Sequence, residues 1–187
     1  MFDGFLRVAA ATPDIRVADC NFNGASAAAL VSEAYEQGVS LLVLPELCLT
    51  GYTCSDLFLQ ESLLDGAGKA LLTLTEATRG KNMVVLAGLP LTVNGVLDNV
   101  AAVLHDGDIL GFVPKSYLPT YSEFYEGRHY HSGTDIEADV LFNGKTYPFG
   151  TRLLFRCRQM PAFTLGIEIC EDLWVAQPPS ISHALAG

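Results

Sequence analysis

One cysteine stands at the end of the apolar, β-branched run Gly166-Ile167-Glu168-Ile169, just before two carboxylates, Glu171 and Asp172. A thiol at Cys170 then sits where a strand leaves a sheet. It is held by rigid backbone yet open to a small molecule, which is what a nucleophile requires. Taken alone, the stretch reads equally well as a buried structural cysteine followed by an acidic turn, because free cysteines are among the most buried residue types. Two other segments have the same form. Leu41-Leu42-Val43-Leu44-Pro45-Glu46 is a short apolar run, a proline and then an acid, and Ile109-Leu110-Gly111-Phe112-Val113-Pro114-Lys115 repeats it with a lysine. Proline cannot donate to a sheet ladder, so each strand stops there and the charged residue lies at its mouth. Each charge by itself is more often a solvated loop residue. Three in one relation to a strand converge if their strands are neighbours, because the C-terminal ends of parallel strands are where α/β sheets bind ligands.

The chemistry open to such a set is well defined. A cysteine attacks as thiolate, so it needs a base or a positive neighbour near neutral pH. Glu46 can accept the thiol proton and later activate a water. Lys115 can hold the negative oxygen formed when sulfur attacks a carbonyl, together with the backbone N–H groups after Cys170. The four histidines (His105, His129, His131 and His183) show no pairing pattern with a cysteine. The reaction class is acyl transfer from a carboxamide or nitrile through a thioester. A lysine beside the thiol is also expected to make Cys170 ionise more readily than the other four cysteines.

In that order, Pro45-Glu46, Pro114-Lys115 and Ile169-Cys170 resemble the Glu-Lys-Cys triad of the nitrilase, or carbon–nitrogen hydrolase, superfamily. Pro45-Glu46-Leu47-Cys48-Leu49-Thr50-Gly51-Tyr52 with Ser55-Asp56-Leu57 is similar to the general-base segment of one branch, the glutaminase domains of glutamine-dependent NAD synthetases. Pro114 to Tyr121, Glu123 to Tyr130 and Gly166 to Trp174 resemble the lysine and cysteine segments of the same branch. The resemblance runs roughly from Phe5 to Leu185. It implies Glu46 as general base, Lys115 as oxyanion stabiliser, Cys170 as nucleophile and Glu126 as the second glutamate beside the lysine. It also implies that Tyr121 and Glu171 help hold glutamine. From the residues alone, Tyr121 reads equally as loop packing, and Glu171 as an acid at a helix start.

The resemblance further implies an α/β fold of the αββα type, two mixed sheets packed between helices, usually paired into a four-layer dimer, so a homo-oligomer is expected. Ammonia released from glutamine would feed a separate synthetase domain that amidates nicotinic acid adenine dinucleotide with ATP. The glutaminase step needs no cofactor; ATP and the dinucleotide would enter only through that other domain. The expectation is one carbon–nitrogen hydrolase (glutaminase) domain over 1–187, incomplete at its C-terminus, with no synthetase domain. Two other readings stay open: a stand-alone amidase, carbamoylase or nitrilase with the same triad, and an inactive truncated fragment that only assembles with partners.

Composition bounds these readings. A chain of 187 residues is one domain's worth. Apolar residues make up 50% and mean hydropathy is +0.29, yet no apolar run approaches the roughly 20 residues of a membrane helix. A net charge of −10, from 11 basic and 21 acidic residues, argues against nucleic-acid binding. Without a signal-peptide pattern, a cytoplasmic setting is the default. Five cysteines, none in a CxxC pair, fit free thiols, with Cys20, Cys48, Cys54 and Cys157 structural or incidental. No metal is expected.

The elements that must position these side chains follow from periodicity and turn signals. Strands are expected at Phe5–Ala11, Leu41–Leu44, Met83–Leu89 and Asp98–Leu104. Helices are expected at Asn23–Gln37, closed by Gly38, and at Glu61–Thr78. Asn94-Gly95 and Asp106-Gly107 signal hairpins. Lys115 opens a long aromatic loop to about Thr134, and Val140–Phe142 with Arg152–Arg158 forms a further hairpin before the cysteine strand. Early alternation of strand and helix followed by antiparallel strands is the pattern of a mixed sheet layered with helices.

Overall fold

A computed structural model describes residues 4–187. Strands β1 (Val8–Ala10), β2 (Leu41–Val43) and β3 (Val84–Val93) run parallel, joined through helices α1 (Cys20–Glu36) and α2 (Glu61–Ala77). Strands β4 (Val96–His105) and β5 (Asp108–Pro114) then fold back as hairpins. Next come β6 (Glu137–Phe142) and β7 (Lys145–Gly150), and β7 joins β5 in parallel at Phe112–Phe149. The result is one mixed seven-stranded sheet in the order β1-β2-β3-β4-β5-β7-β6. A separate two-stranded piece, β8 (Phe155–Arg156) with β9 (Thr164–Leu165), and a short helix α3 (Pro179–Ala186) complete the chain.

The three tight hairpin turns, Asn94-Gly95, Asp106-Gly107 and Asn143-Gly144, have positive φ at both central residues. That backbone twists with the strands it joins, and asparagine, aspartate and glycine adopt it at least cost. Helix α1 starts at Cys20, earlier than the expected Asn23, because the Asp19 carboxylate accepts from Phe22 N at 3.0 Å and caps it. Alternate strand residues then divide the core. Leu42, Val85, Ala87, Leu89, Ala102 and Phe112 face α1 and α2 with Val31, Leu71 and Leu74. On the opposite face Leu41, Leu86, Val103 and Val113 meet Ile167 and Ile169, with Phe155, Phe163 and Leu165 partly buried beside them.

Three expectations are corrected. The first strand is confined to Val8–Ala10, and Phe5 is exposed. Val140–Phe142 pairs with Lys145–Gly150, not Arg152–Arg158, because the two-residue turn at Asn143-Gly144 forces pairing to begin at once on both sides. The segment before Cys170 is not a strand of the main sheet. Residues 166–169 lie across its face without ladder pairing, and Cys170 opens a 3₁₀ turn, Cys170–Leu173. The three strands are therefore not neighbours: β2 and β5 share one sheet but are separated by β3 and β4, and the cysteine comes in from above. Among the described residues no helix is long and apolar enough to cross a membrane.

Candidate active site

Glu46 reaches the site by a crossing that the sequence permits at one place. Leu44 N donates to Leu86 O at 2.9 Å, Pro45 ends the ladder, and the chain then passes directly over β3 at Gly88. A Cβ on Gly88 would lie 2.3 Å from Leu47 N and 2.8 Å from Glu46 Cα, so only glycine lets the two backbones approach this closely. A tight turn follows, with Leu47 at φ 51° and Gly51 N donating to Leu47 O at 2.8 Å. Having passed β3, the Glu46 side chain meets β4 and β5. Asn99 Nδ2 donates to Glu46 Oε1 at 2.6 Å, and Lys115 Nζ donates to the same oxygen at 2.7 Å.

Lys115 extends the β4–β5 ladder by one bond, Lys115 N to Asn99 O at 2.8 Å, and is 0% exposed. Its ammonium also donates to Glu126 Oε1 at 2.7 Å. Glu126 opens the 3₁₀ turn Glu126–Arg128 and is buried, and it accepts a further bond from Tyr52 OH at 2.7 Å. The loop that carries it leaves after Lys115 and returns to it, since Gly133 N donates to Lys115 O at 2.8 Å. One buried cation thus holds two carboxylates and spends two of its three N–H donors on them. The third is left for another acceptor.

Cys170 lies at φ 50°, a left-handed conformation unusual for a residue with a side chain, and its thiol is exposed. Glu46 and Cys170 line one cavity of about 200 Å³ together with Val43, Gly88, Asn99 and Ile169. The Asp172 carboxylate anchors the cysteine turn by accepting from Ile169 N at 3.0 Å, Ser116 N at 3.0 Å and Tyr117 N at 2.8 Å. At the rim, exposed Tyr121 donates its hydroxyl to Glu171 Oε2 at 2.8 Å.

The protonation pattern follows from these contacts. Burial works against the Lys115 ammonium, but Glu46 and Glu126 outweigh it and hold its pKa above that of an ordinary lysine. Burial pushes the Glu126 carboxyl up despite its bonds to Lys115 and Tyr52. Burial, and then the Glu46 charge, push the Cys170 thiol up, while Lys115 pulls it down by less. Cys170 is therefore not the readily ionised thiol that a lone neighbouring lysine would create. The two carboxylates on that lysine cancel its field at the sulfur, so in this state sulfur keeps its proton until a base removes it.

With this geometry in view, residues 7–186 match the carbon-nitrogen hydrolase family. The chain belongs to that family. A curated relative, the glutamine-dependent NAD(+) synthetase of Mycobacterium tuberculosis, is 44% identical over 184 residues, covering 98% of this chain and 27% of the relative. The chain spans about a quarter of the length of the curated relatives it matches. The crystal structure of a glutamine-dependent NAD(+) synthetase from Cytophaga hutchinsonii superposes with a TM-score of 0.81 at 29% identity, over 89% of this chain and 28% of that one. An amidase from Nesterenkonia sp. superposes with a TM-score of 0.58 at 21% identity, over 76% of this chain and 54% of that one, and shares the fold. The expected nitrilase-like α/β architecture holds.

In this carbon–nitrogen hydrolase domain, Glu46, Lys115 and Glu126 are in direct contact, Cys170 shares the cavity with Glu46, and Tyr121 is paired with Glu171. Sequence reasoning did not single out Asn99, Tyr52 or Asp172. Asn99 left a signal, a polar pair Asp98-Asn99 inside an otherwise apolar strand, where a buried amide must find a partner. Tyr52 left none, because its contact lies 74 residues away, and Asp172 showed only as an acid after the thiol, because its partners Ser116 and Tyr117 lie 56 and 55 residues away.

Proposed function

We propose that this domain hydrolyses the side-chain amide of glutamine through a thioester at Cys170, supplying ammonia to a separate synthetase domain that amidates nicotinic acid adenine dinucleotide with ATP. The observation that carries the reading is the buried Lys115, bridging two carboxylates of which one, Glu46, lines the cavity that also holds the thiol. Such an arrangement suits a reaction in which negative charge develops on an oxygen and one proton is moved several times. The naming of the curated relatives as glutamine-dependent NAD(+) synthetases supports glutamine as the amide donor.

In the proposed sequence Glu46 takes the Cys170 proton as sulfur bonds to the amide carbon. The carbonyl oxygen becomes an oxyanion held by the free Lys115 N–H and by backbone N–H groups after Cys170. As the tetrahedral intermediate collapses, the C–N bond breaks and Glu46 returns its proton to the leaving nitrogen, giving ammonia and the thioester. Water then attacks, losing a proton to Glu46. The C–S bond breaks, glutamate leaves, and sulfur regains its proton. Glu126 keeps Lys115 charged and aimed, and Tyr121 with Glu171 holds the substrate's amino-acid end at the rim. The hydrolysis itself uses no cofactor. A homo-oligomeric, cytoplasmic enzyme fits this role.

The test is ammonia release from glutamine by this chain beside its Cys170→Ala variant. Activity that falls to background in the variant supports the proposal. Equal release by both would overturn Cys170 as nucleophile. Release from simple aliphatic amides but not from glutamine would assign the same chemistry to a different substrate.

A further inference from the structure

Asp172 is 2% exposed and no cation lies within ion-pair distance of it among the described residues. An ionised carboxylate so placed is costly unless its oxygens are filled by donors. Here three backbone N–H groups fill them, and they come from two segments. Oδ2 accepts from Ile169 N, the residue before the thiol, while Asp172 N donates back to Ile169 O at 3.1 Å. Those two bonds close a small ring around Cys170 and Glu171. Oδ1 accepts from Ser116 N at 3.0 Å and Tyr117 N at 2.8 Å, the two residues that follow Lys115. The three N–H groups have no other backbone acceptor.

We infer that Asp172 is the positioning residue of this site: one oxygen holds the cysteine turn and the other the end of the lysine strand, so that a single carboxylate sets the thiol against the ammonium. The inference rests on the glutaminase reading and deepens it. Its logic is geometric. The cysteine segment has no ladder bond to the main sheet, and beside the packing of Ile167 and Ile169 its other directional tie, Ser180 N donating to Glu168 Oε1 at 2.6 Å, fastens it to α3 and not to the lysine strand. Side-chain packing alone is non-directional. Charge-assisted hydrogen bonds are directional, and three of them on one rigid carboxylate fix both position and tilt. The same bonds hold Cys170 in its left-handed backbone conformation, which local preference opposes. An asparagine in this place would offer one oxygen and one NH₂, so at least one of the three N–H groups would face a donor.

The test compares the chain with Asp172→Asn by three readouts: ammonia release, the rate of Cys170 alkylation by iodoacetamide across pH followed by mass spectrometry, and thermal melting. The expected result is a folded variant whose kcat falls about a hundredfold with little change in KM, the loss that a misplacement of about 1 Å produces. Its alkylation pH profile should move downward, since a displaced thiol leaves a field in which the Glu46 and Glu126 charges outweigh the Lys115 ammonium. A lower melting temperature with an unchanged alkylation profile and unchanged kcat would make Asp172 a structural clamp only and overturn the inference. If the variant does not fold, amide exchange in the unaltered chain decides. Protection at Ser116, Tyr117 and Ile169 should fall together at one pH on acidification, as the single carboxylate they share is protonated, and separate transitions for the cysteine-turn and lysine-strand amides would overturn the inference. Should the chain release no ammonia from glutamine, the glutaminase reading fails, while the alkylation and exchange readouts still judge Asp172.

Discussion

At the scale of single residues the centre of this site is a cation, not the thiol. Lys115 is completely buried and its two carboxylate partners come from opposite sides, Glu46 before it in sequence and Glu126 after it. Removing the ammonium while keeping the stem, as in Lys115→Met, leaves the buried Glu126 carboxylate facing the half-buried one of Glu46 with only Asn99 and Tyr52 as donors. A loss of about 3–5 kcal/mol is expected at neutral pH, the usual cost of orphaning buried charge, checked by urea unfolding. Part of that loss should be regained on acidification, because Glu126, already pushed up by burial, is then protonated. In the unaltered chain the sign is opposite at the lysine. Its pKa is raised in the folded state, so its contribution is present at neutral pH and is lost only as pH rises through that raised value.

At the scale of elements the decisive feature is the crossing over β3. The chain reaches Asn99 and Lys115 because Gly88 presents no side chain to Leu47 and Glu46. Gly88→Ala puts a methyl 2.3 Å from a backbone nitrogen, and the Pro45–Gly51 turn must lift. We expect a loss of roughly 1–3 kcal/mol or more in thermal melting, and weaker ammonia release through Glu46. This crossing was not legible in the sequence, where Gly88 is one small residue in an apolar strand. The hairpins at Asn94-Gly95 and Asp106-Gly107 were legible, because Asn-Gly and Asp-Gly select a backbone that few other pairs adopt. So were Glu46 and Lys115, because Pro45 and Pro114 mark where a ladder must end. The cysteine segment misled for a physical reason. Ile167 and Ile169 alternate because they pack on a sheet face, which produces the same pattern as a strand within a sheet. Strands β8 and β9 pair over two residues each, too short to leave a period.

At the scale of the whole molecule, charge sets how stability responds to pH. The chain carries a net charge of −10, and one of its carboxylates, Asp98, is 1% exposed with no hydrogen-bond partner on either oxygen. Burial raises its pKa from 3.8 to about 6, opposed by His131, whose Nδ1 lies 3.8 Å away. The folded state therefore holds a proton that the unfolded chain has lost between about pH 4 and pH 6, and stability falls as pH rises through that window. Measured against Asp98→Asn by thermal unfolding, the parent should lose about 3 kcal/mol across it. Equal pH slopes would show that the carboxylate is not buried as described. A different property of the chain follows from the turn that carries Cys170. Its closing residue is Trp174, the only tryptophan in the sequence and 75% exposed. Tryptophan emission from this chain consequently originates at the end of the turn that Cys170 opens and nowhere else. The chain contains its own optical probe, placed to report the proposed acylation of the thiol without a label.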